Sequence, residues 1–337
     1  MTRKAAPGPR GLKDGDAVEA TILGALKEAG APLSGEALAG LLGLSRAAVW
    51  KRINRLKASG YAIEGSPRRG YRLLGIPDKL LPAEVMEGLK TRYLRGPIHH
   101  FDSLPSTNDL AKELGSKDAP EGSLVVAEHQ TRGRGRLGRE WDSPPGAGLY
   151  VSLLLRPLLP PTEMPQITLA TAVAVVRALS RTTGLAPGIK WPNDLLLDGK
   201  KLGGILTEME TESDRIRHLV VGLGLNINNR EFPEPLDLTA TSLALSTGSS
   251  CSRREILQAW LEEIEALYDL FLHQGFEVIL DEWRSHNVTL GQLVTVRQGP
   301  RVISGLALDV AGDGALLLRQ GTGEVIRVTS GEIAPGP

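Results

Sequence analysis

A single cysteine, Cys251, stands among 337 residues, so no disulfide can form within the chain and an oxidising compartment is not implied. Aromatic residues make up only 4%, which leaves Leu, Val, Ile and Ala to fill the cores. No apolar run approaches the ~20 residues that a membrane-spanning helix needs. The opening MTRKAAPGPRGLKDGD is basic but has no apolar segment behind it. Residues 1–16 therefore read as a disordered leader and not as a secretion signal. These absences point to the cytoplasm, with no membrane partner. No Ser-His-Asp or Cys-His arrangement is legible, and the six histidines (99, 100, 129, 218, 273 and 286) are scattered. Without a Cys/His cluster no metal site is indicated.

What the chain does have is length and an uneven distribution of charge. Its 337 residues exceed one ordinary core, so two or three domains are expected. Apolar content of 41% is enough to build them. The net charge of zero hides an asymmetry. Residues 1–75 hold 13 Lys and Arg against 6 Asp and Glu, and the remainder holds 26 against 33. A basic front on an acidic body suggests a nucleic-acid module joined to something with another task.

The front end carries its own pattern. AVEATILGALKEAG puts Val18, Ile22, Leu23 and Leu26 on one helical face. PLSGEALAGLLG follows, with Ser34 as N-cap, and SRAAVWKRINRLKASG makes a third helix capped by Ser45. Val49, Ile53 and Leu56 point inward, and Arg46, Lys51, Arg52 and Arg55 lie on other faces. Trp50 is expected to be half-buried packing. YAIEGSPRRGYRLLG then reads as a hairpin tipped by Arg68 and Arg69. This is the winged helix-turn-helix order over residues 17–75, with the third helix in the DNA major groove and the wing tip at phosphate or minor groove. A winged helix that binds protein, its basic helix merely solvated, is the rival reading. The expected DNA-contacting set is Ser45, Arg46, Lys51, Arg52, Arg55, Arg68 and Arg69.

GIPDKLLPAEV, at 75–85, is the expected domain boundary, followed by a short helix to about Tyr93. From Ile98 the texture is α+β. It shows a strand, a helix opened by Ser106-Thr107-Asn108, further strands at 122–130, 148–157 and 217–228, and long helices at 164–184 and 252–275. DLLLDGKKLGGILTEM is a hairpin turning on Asp-Gly.

Between two of these strands lies HQTRGRGRLGREW, in which residues 132–139 hold four arginines and three glycines. It is a loop dense in positive charge. An RNA-binding tail, an inert surface loop and a nucleotide site are the three readings. In the last, glycines let backbone N–H groups approach a phosphate while arginines neutralise it. The segment is neither a Walker A loop nor a dinucleotide fingerprint.

STN (106–108), Gln130, GRGRLGREW (133–141), KWPND (190–194), KKLGGIL (200–206) and GLGLNIN (222–228) resemble, in order and spacing, the motifs of biotin protein ligases. With the winged helix in front, the chain from about residue 17 to its end is similar to the bifunctional kind that also represses biotin operons. The resemblance implies an α+β architecture. It consists of an N-terminal winged helix-turn-helix, a central α/β catalytic domain of the biotin/lipoate ligase type at 80–285, and a C-terminal SH3-like β-barrel at 286–337. It implies biotin, ATP and Mg2+, with biotin carboxyl carrier protein, operator DNA and a second copy of the chain as partners. Residues implied to hold biotin are Ser106, Thr107, Asn108, Gln130, Gly133, Arg134, Lys201, Gly204 and Gly222. Those implied for ATP are Arg136, Arg139, Trp141, Asn193, Lys201 and Asn226. Lys201, Arg136, Arg134 and Asp194 are the implied catalytic set. Trp191 either walls the biotin tail or is ordinary packing. Leu137 stands where some relatives carry another arginine. A transcription factor that senses biotin without performing chemistry is the alternative. The tail from 286 alternates short strands with Gly-Asp and Gly-Thr-Gly turns and has no Trp, Tyr or Phe, so a peptide-binding aromatic groove is absent from it.

Overall fold

The computed structural model describes residues 14–66 and 69–334. Helices α1 (Asp14–Glu28), α2 (Gly35–Leu42) and α3 (Arg46–Ala58) precede a hairpin of β1 (Ala62–Ser66) and β2 (Gly70–Gly75). The first helix thus begins inside the expected leader, whose residues 1–13 lie outside those described. Ser34 and Ser45 cap α2 and α3, each side-chain oxygen accepting a hydrogen bond from Ala37 N (3.0 Å) or Ala48 N (3.2 Å). Ile22, Leu23, Leu38, Val49, Ile53 and Leu56 close a small core of their own.

Trp50 differs from the expectation. Its position follows the buried Val49 by one residue, which swings it off the core face, and it is 60% exposed. Arg52 turns the other way and pairs with Glu19 of α1 at 3.4 Å. Arg46, Lys51, Arg55 and Arg69 are exposed. Arg68 lies outside the described residues.

The expected linker is itself structured. Helix α4 (Pro82–Met86) stops well short of Tyr93, and Gly88 just beyond it takes a φ of 79° that favours glycine. Leu81 and Ala83 pack on the winged-helix core, while Leu80, Val85 and Met86 enter the main core. Glu84 between them is buried and accepts from Tyr61 Oη at 2.8 Å and Lys27 Nζ at 3.1 Å.

The central sheet has seven strands: β3 (Ile98–Phe101), β4 (Leu124–Ala127), β5 (Gly148–Leu155), β6 (Gly188–Lys190), β7 (Asp194–Leu197), β8 (Lys200–Glu212) and β9 (Arg215–Asn226). Their spatial order is β3-β4-β5-β9-β8-β7-β6, with β3 and β4 parallel and the other neighbours antiparallel. Alternation along the strands divides the two faces. Val125, Ala127, Leu154 and Val220 face α5 (Thr107–Ser116). Val126, Leu153, Leu155 and Val221 face the main core, which holds α6 (Met164–Thr183), α7 (Leu243–Thr247), α8 (Arg253–Gln274) and α9 (Glu277–His286). The sequence reading missed α9, although Ile279, Leu280 and Trp283 mark its buried face at helical spacing.

The tail forms β10 (Leu293–Gln298), β11 (Arg301–Val310), β12 (Leu316–Arg319), β13 (Val325–Val328) and β14 (Glu332–Ile333). These five antiparallel strands run in the order β13-β12-β11-β10-β14. Val296, Ala307, Leu316 and Ile333 join the main core, so this module is fused to the central domain by apolar packing. Trp191 sits at that junction, buried, and donates its indole N–H to Gly314 O at 3.0 Å.

Candidate active site

A cleft of about 890 Å³, counting its open mouth, runs between the N-terminus of α5, the arginine-glycine loop, the β6–β7 connection and the middle of β8 and β9. Its polar end is built on α5. Ser106, Thr107 and Asn108 are buried there. Gln130, just past β4, accepts from Thr107 N at 2.8 Å and from Thr107 Oγ1 at 3.1 Å. Its amide in turn donates to Ser143 Oγ at 3.1 Å. Ser152 of β5 donates to Asn108 Oδ1 at 2.6 Å, and Asn108 donates to Leu206 O and Glu208. These hydrogen bonds set the rotamers of Thr107, Asn108 and Gln130 before any ligand arrives.

Glycine on the neighbouring strand makes room for this network. A β-carbon at Gly222 would stand 2.1 Å from Asn108 Oδ1, and one at Gly224 would stand 2.7 Å from the Trp141 ring. The Trp141 ring therefore packs against Gly224 of β9, and its indole N–H has no hydrogen-bond partner among the described residues. Lys201 Nζ lies 5.6 Å from the centroid of that ring.

The arginine-glycine loop folds on itself. Trp141 N donates to Gly133 O at 2.9 Å and Gly135 N to Arg139 O at 2.8 Å. The chain reverses through Leu137 and Gly138, both left-handed with φ of 56° and 76°. Leu137 is 70% exposed at the tip, so no core packing determines its identity.

Five cations line the cleft: Arg134, Arg136, Arg139, Lys190 and Lys201. Most are held by the protein's own acids. Arg134 bonds to Asp109 at 2.6 Å and to Glu208 at 2.9 Å. Lys201 pairs with Asp194 at 2.8 Å, and Arg139 pairs with Glu332 of β14. Arg136 donates to Asn193 Oδ1 at 3.0 Å and Gly331 O at 3.2 Å. Burial pulls the Arg136 guanidinium below the usual arginine range, against the upward pull of Asp194 and Glu332. Burial would raise the Glu208 carboxyl, but hydrogen bonds from Lys112 and Asn108 and the charge of Arg134 outweigh it and hold it low. Arg134, Arg139 and Lys201 are thus neutralised in place by carboxylates that an incoming anion can replace.

Lys201 stands where β9 has already ended. Its backbone is clamped by another segment, with Lys201 N donating to Thr239 O at 2.7 Å and Thr241 N donating to Lys201 O at 2.9 Å. Asn226 donates its side-chain amide to Thr241 O at 3.1 Å. It is buried behind this clamp and does not line the cleft, and nor does Gly133, whose carbonyl closes the loop. The other residues named for biotin, ATP and catalysis all line it: Ser106, Thr107, Asn108, Gln130, Arg134, Arg136, Arg139, Trp141, Asn193, Asp194, Lys201, Gly204 and Gly222.

Three acidic partners escaped the sequence reading. Glu208 was legible, since 204, 206 and 208 share one face of β8 by strand alternation. Asp109 adjoins the Ser-Thr-Asn run. Glu332 reaches the site from the last described strand, and no local pattern announces that. Among the described residues no group of three His, Cys, Asp or Glu is placed to hold a metal ion.

Known proteins combine these same parts. Residues 100–226 match the model of the biotin/lipoate A/B protein ligase family, residues 18–72 that of an HTH domain, and residues 289–334 that of the biotin protein ligase C-terminal domain. The chain is 41% identical over 306 residues to the bifunctional ligase/repressor BirA of Bacillus subtilis (strain 168), covering 90% of this chain and 94% of that one. The chain belongs to the biotin/lipoate A/B protein ligase family. This member of the ligase family is also 31% identical to the bifunctional ligase/repressor BirA of Escherichia coli (strain K12), over 85% of its own length and 88% of that protein's. Among solved structures, the biotin protein ligase from Aquifex aeolicus in complex with biotin and ATP superposes with a TM-score of 0.61 at 32% identity. The match covers 70% of the present ligase chain and 97% of that one.

Proposed function

We propose that the chain activates biotin with ATP and passes it to a lysine of biotin carboxyl carrier protein, and that it represses biotin-synthesis genes with the adenylate as corepressor. Both reactants of the first step are anions. A biotin carboxylate oxygen attacks the α-phosphorus and pyrophosphate leaves. The bare encounter is repulsive, so a site must cancel charge and hold the two groups in line. The carrier lysine then attacks the acyl carbon of biotinyl-5′-AMP, and AMP departs. The substrate is its own nucleophile, so no nucleophilic side chain is needed.

What supports this reading most is the convergence of Arg134, Arg136, Arg139 and Lys201, from separate segments, on one cleft with a pre-bonded polar end. Ser106, Thr107, Asn108 and Gln130 take the ureido ring of biotin, with backbone from Arg134 and with Gly204 and Gly222 lining the cleft beside it. Arg134 covers the biotin carboxylate. Arg136 and Arg139 neutralise phosphates, and Lys201 bridges the carboxylate and the α-phosphate. Trp141 and Asn193 bound the nucleotide, Asn226 acts from behind by holding the Thr241 segment that clamps Lys201, and Asp194 orients the acceptor lysine. Mg2+ enters with ATP, held mostly by phosphates and water. The cytoplasm is the setting, consistent with one free cysteine and with the finding that, among the described residues, no helix is long and apolar enough to cross a membrane.

Biotin-dependent exchange of pyrophosphate into ATP tests the catalytic half. Exchange is expected with purified protein, and its absence leaves only the sensing alternative. For the repressing half, two copies of the chain would span paired half-sites. Arg46→Glu is expected to abolish operator binding in a mobility-shift assay with ligation retained. Equal loss of both would contradict separable modules.

A further inference from the structure

Three of the five tryptophans are sealed in the main core, at 0–2% exposure, and Trp141 is half-buried in the cleft. Trp50 is the exception at 60% exposed, on the helix expected to meet DNA. It has no role in the winged-helix core, which α3 serves through Val49, Ile53 and Leu56. Residues four apart lie in line along a helix, so Arg46, Trp50 and Asn54 form one row down a flank of α3. Arg46 is exposed and Asn54 half-buried in that row, and the exposed Lys51 and Arg55 flank it.

The chemistry of this row indicates its occupant. An arginine fork and an asparagine amide are the side chains that read guanine and adenine edges in the major groove. Between them stands a large apolar ring. The major groove offers one apolar feature, the 5-methyl group of thymine. A second copy of this chain packed symmetrically, α3 against α3, would bring like charges together, because Arg46, Lys51 and Arg55 surround the ring. An apolar protein surface would strand the same three cations away from water. A polyanion that carries methyl groups satisfies both the charges and the indole.

We propose that Trp50 is a specificity-determining residue of the DNA-binding surface, its indole packing on the 5-methyl group of a thymine within each half-site. The proposal rests on the DNA-binding part of the function above. Arg46 supplies charge and the base-edge fork beside it, and Trp50 supplies the discrimination of thymine from a base that lacks the methyl.

The test uses the full chain with biotin and ATP, and duplexes recovered on it from a random-sequence library. In the recovered duplex each dT is replaced in turn by dU, which removes only the methyl group. For the wild type, one dT per half-site is expected to lose about fourfold in affinity on replacement, the value of one buried methyl. Trp50→Ala is expected to bind the parent duplex about tenfold more weakly, a base contact being worth that order, and to bind the dU and dT duplexes equally. The slope of log affinity against log salt should be unchanged in Trp50→Ala, because the indole touches no phosphate. Thermal unfolding of Trp50→Ala at the wild-type temperature excludes misfolding, as the exposed position leads one to expect. If wild type and Trp50→Ala respond alike to every dT→dU replacement, or Trp50→Ala shifts only self-association, the assignment of Trp50 is overturned. If no duplex is recovered on the wild type at all, the DNA-binding reading fails and Trp50 with it.

Discussion

Lys201→Ala is expected to slow biotin-dependent pyrophosphate exchange by about 10²–10³, the usual consequence of removing one preorganised charge donor, while biotin affinity changes only a few-fold. The difference follows from where Lys201 acts. Its ammonium is half-exposed and paired with Asp194 at 2.8 Å, whereas the ring of biotin is proposed to sit at the end where Thr107 and Gln130 are hydrogen-bonded. It contributes when a carboxylate and an α-phosphate are pressed together, which happens on the way to the transition state and not in the biotin complex. Titration calorimetry with biotin, set beside the exchange rate, separates the two effects. A comparable collapse in both would mean that Lys201 holds biotin and does not drive its activation.

The second large effect concerns stability. Arg253→Met is expected to destabilise the fold by about 3–5 kcal/mol, the cost of stranding a buried charge. Arg253 is fully buried at the start of α8. It donates to Glu128 at 2.7 Å, to Asp78 O at 2.7 Å and to Gly148 O at 3.3 Å. Glu128 also accepts from Leu80 N at 2.9 Å, so one ion pair ties the α4 approach, β5 and α8 to the strand end that delivers Gln130. Burial would raise the Glu128 carboxyl, but the His100 hydrogen bond, the Arg253 charge and the Leu80 N–H outweigh it and bring it down to about 2. A carboxyl held below its ordinary value contributes stability above the unfolded pKa, and that contribution fades as pH falls through the folded one. The deficit of Arg253→Met in urea unfolding should therefore be full at pH 7 and narrow between about pH 4.5 and pH 2. An equal deficit at pH 7 and pH 3 would assign the effect to packing and not to charge.

Much of this molecule is legible from its sequence where the signal is local. The Asp-Gly turn of the β7–β8 hairpin has both residues left-handed, with φ of 52° and 76°, as that dipeptide implies. Helix α6 ends at Gly184 in the left-handed conformation. Gly222 and the arginine loop stood out because their residue types suit few other settings, and Lys201 stood out through the resemblance carried by KKLGGIL. The remainder depends on distant packing. The sequence could not tell that Arg52 would be drawn to Glu19 or that Trp50 would be left open, since both lie on the polar side of an amphipathic helix. Nor could it pair Arg139 with Glu332, almost two hundred residues away. Asp109 and Glu332, which hold Arg134 and Arg139, have nothing in their own sequence surroundings that sets them apart from ordinary solvated acids.

In the proposed reaction the cations exchange internal carboxylates for the carboxylate and phosphate oxygens of the substrates. A crystal structure of the complex with biotin and a non-hydrolysable ATP analogue measures this directly. Arg134 is expected to leave Asp109 and Glu208, and Lys201 to leave Asp194, each coming within about 3 Å of carboxylate or α-phosphate oxygens. A complex in which both ligands are bound while Arg134 and Lys201 remain on their own acids would contradict it.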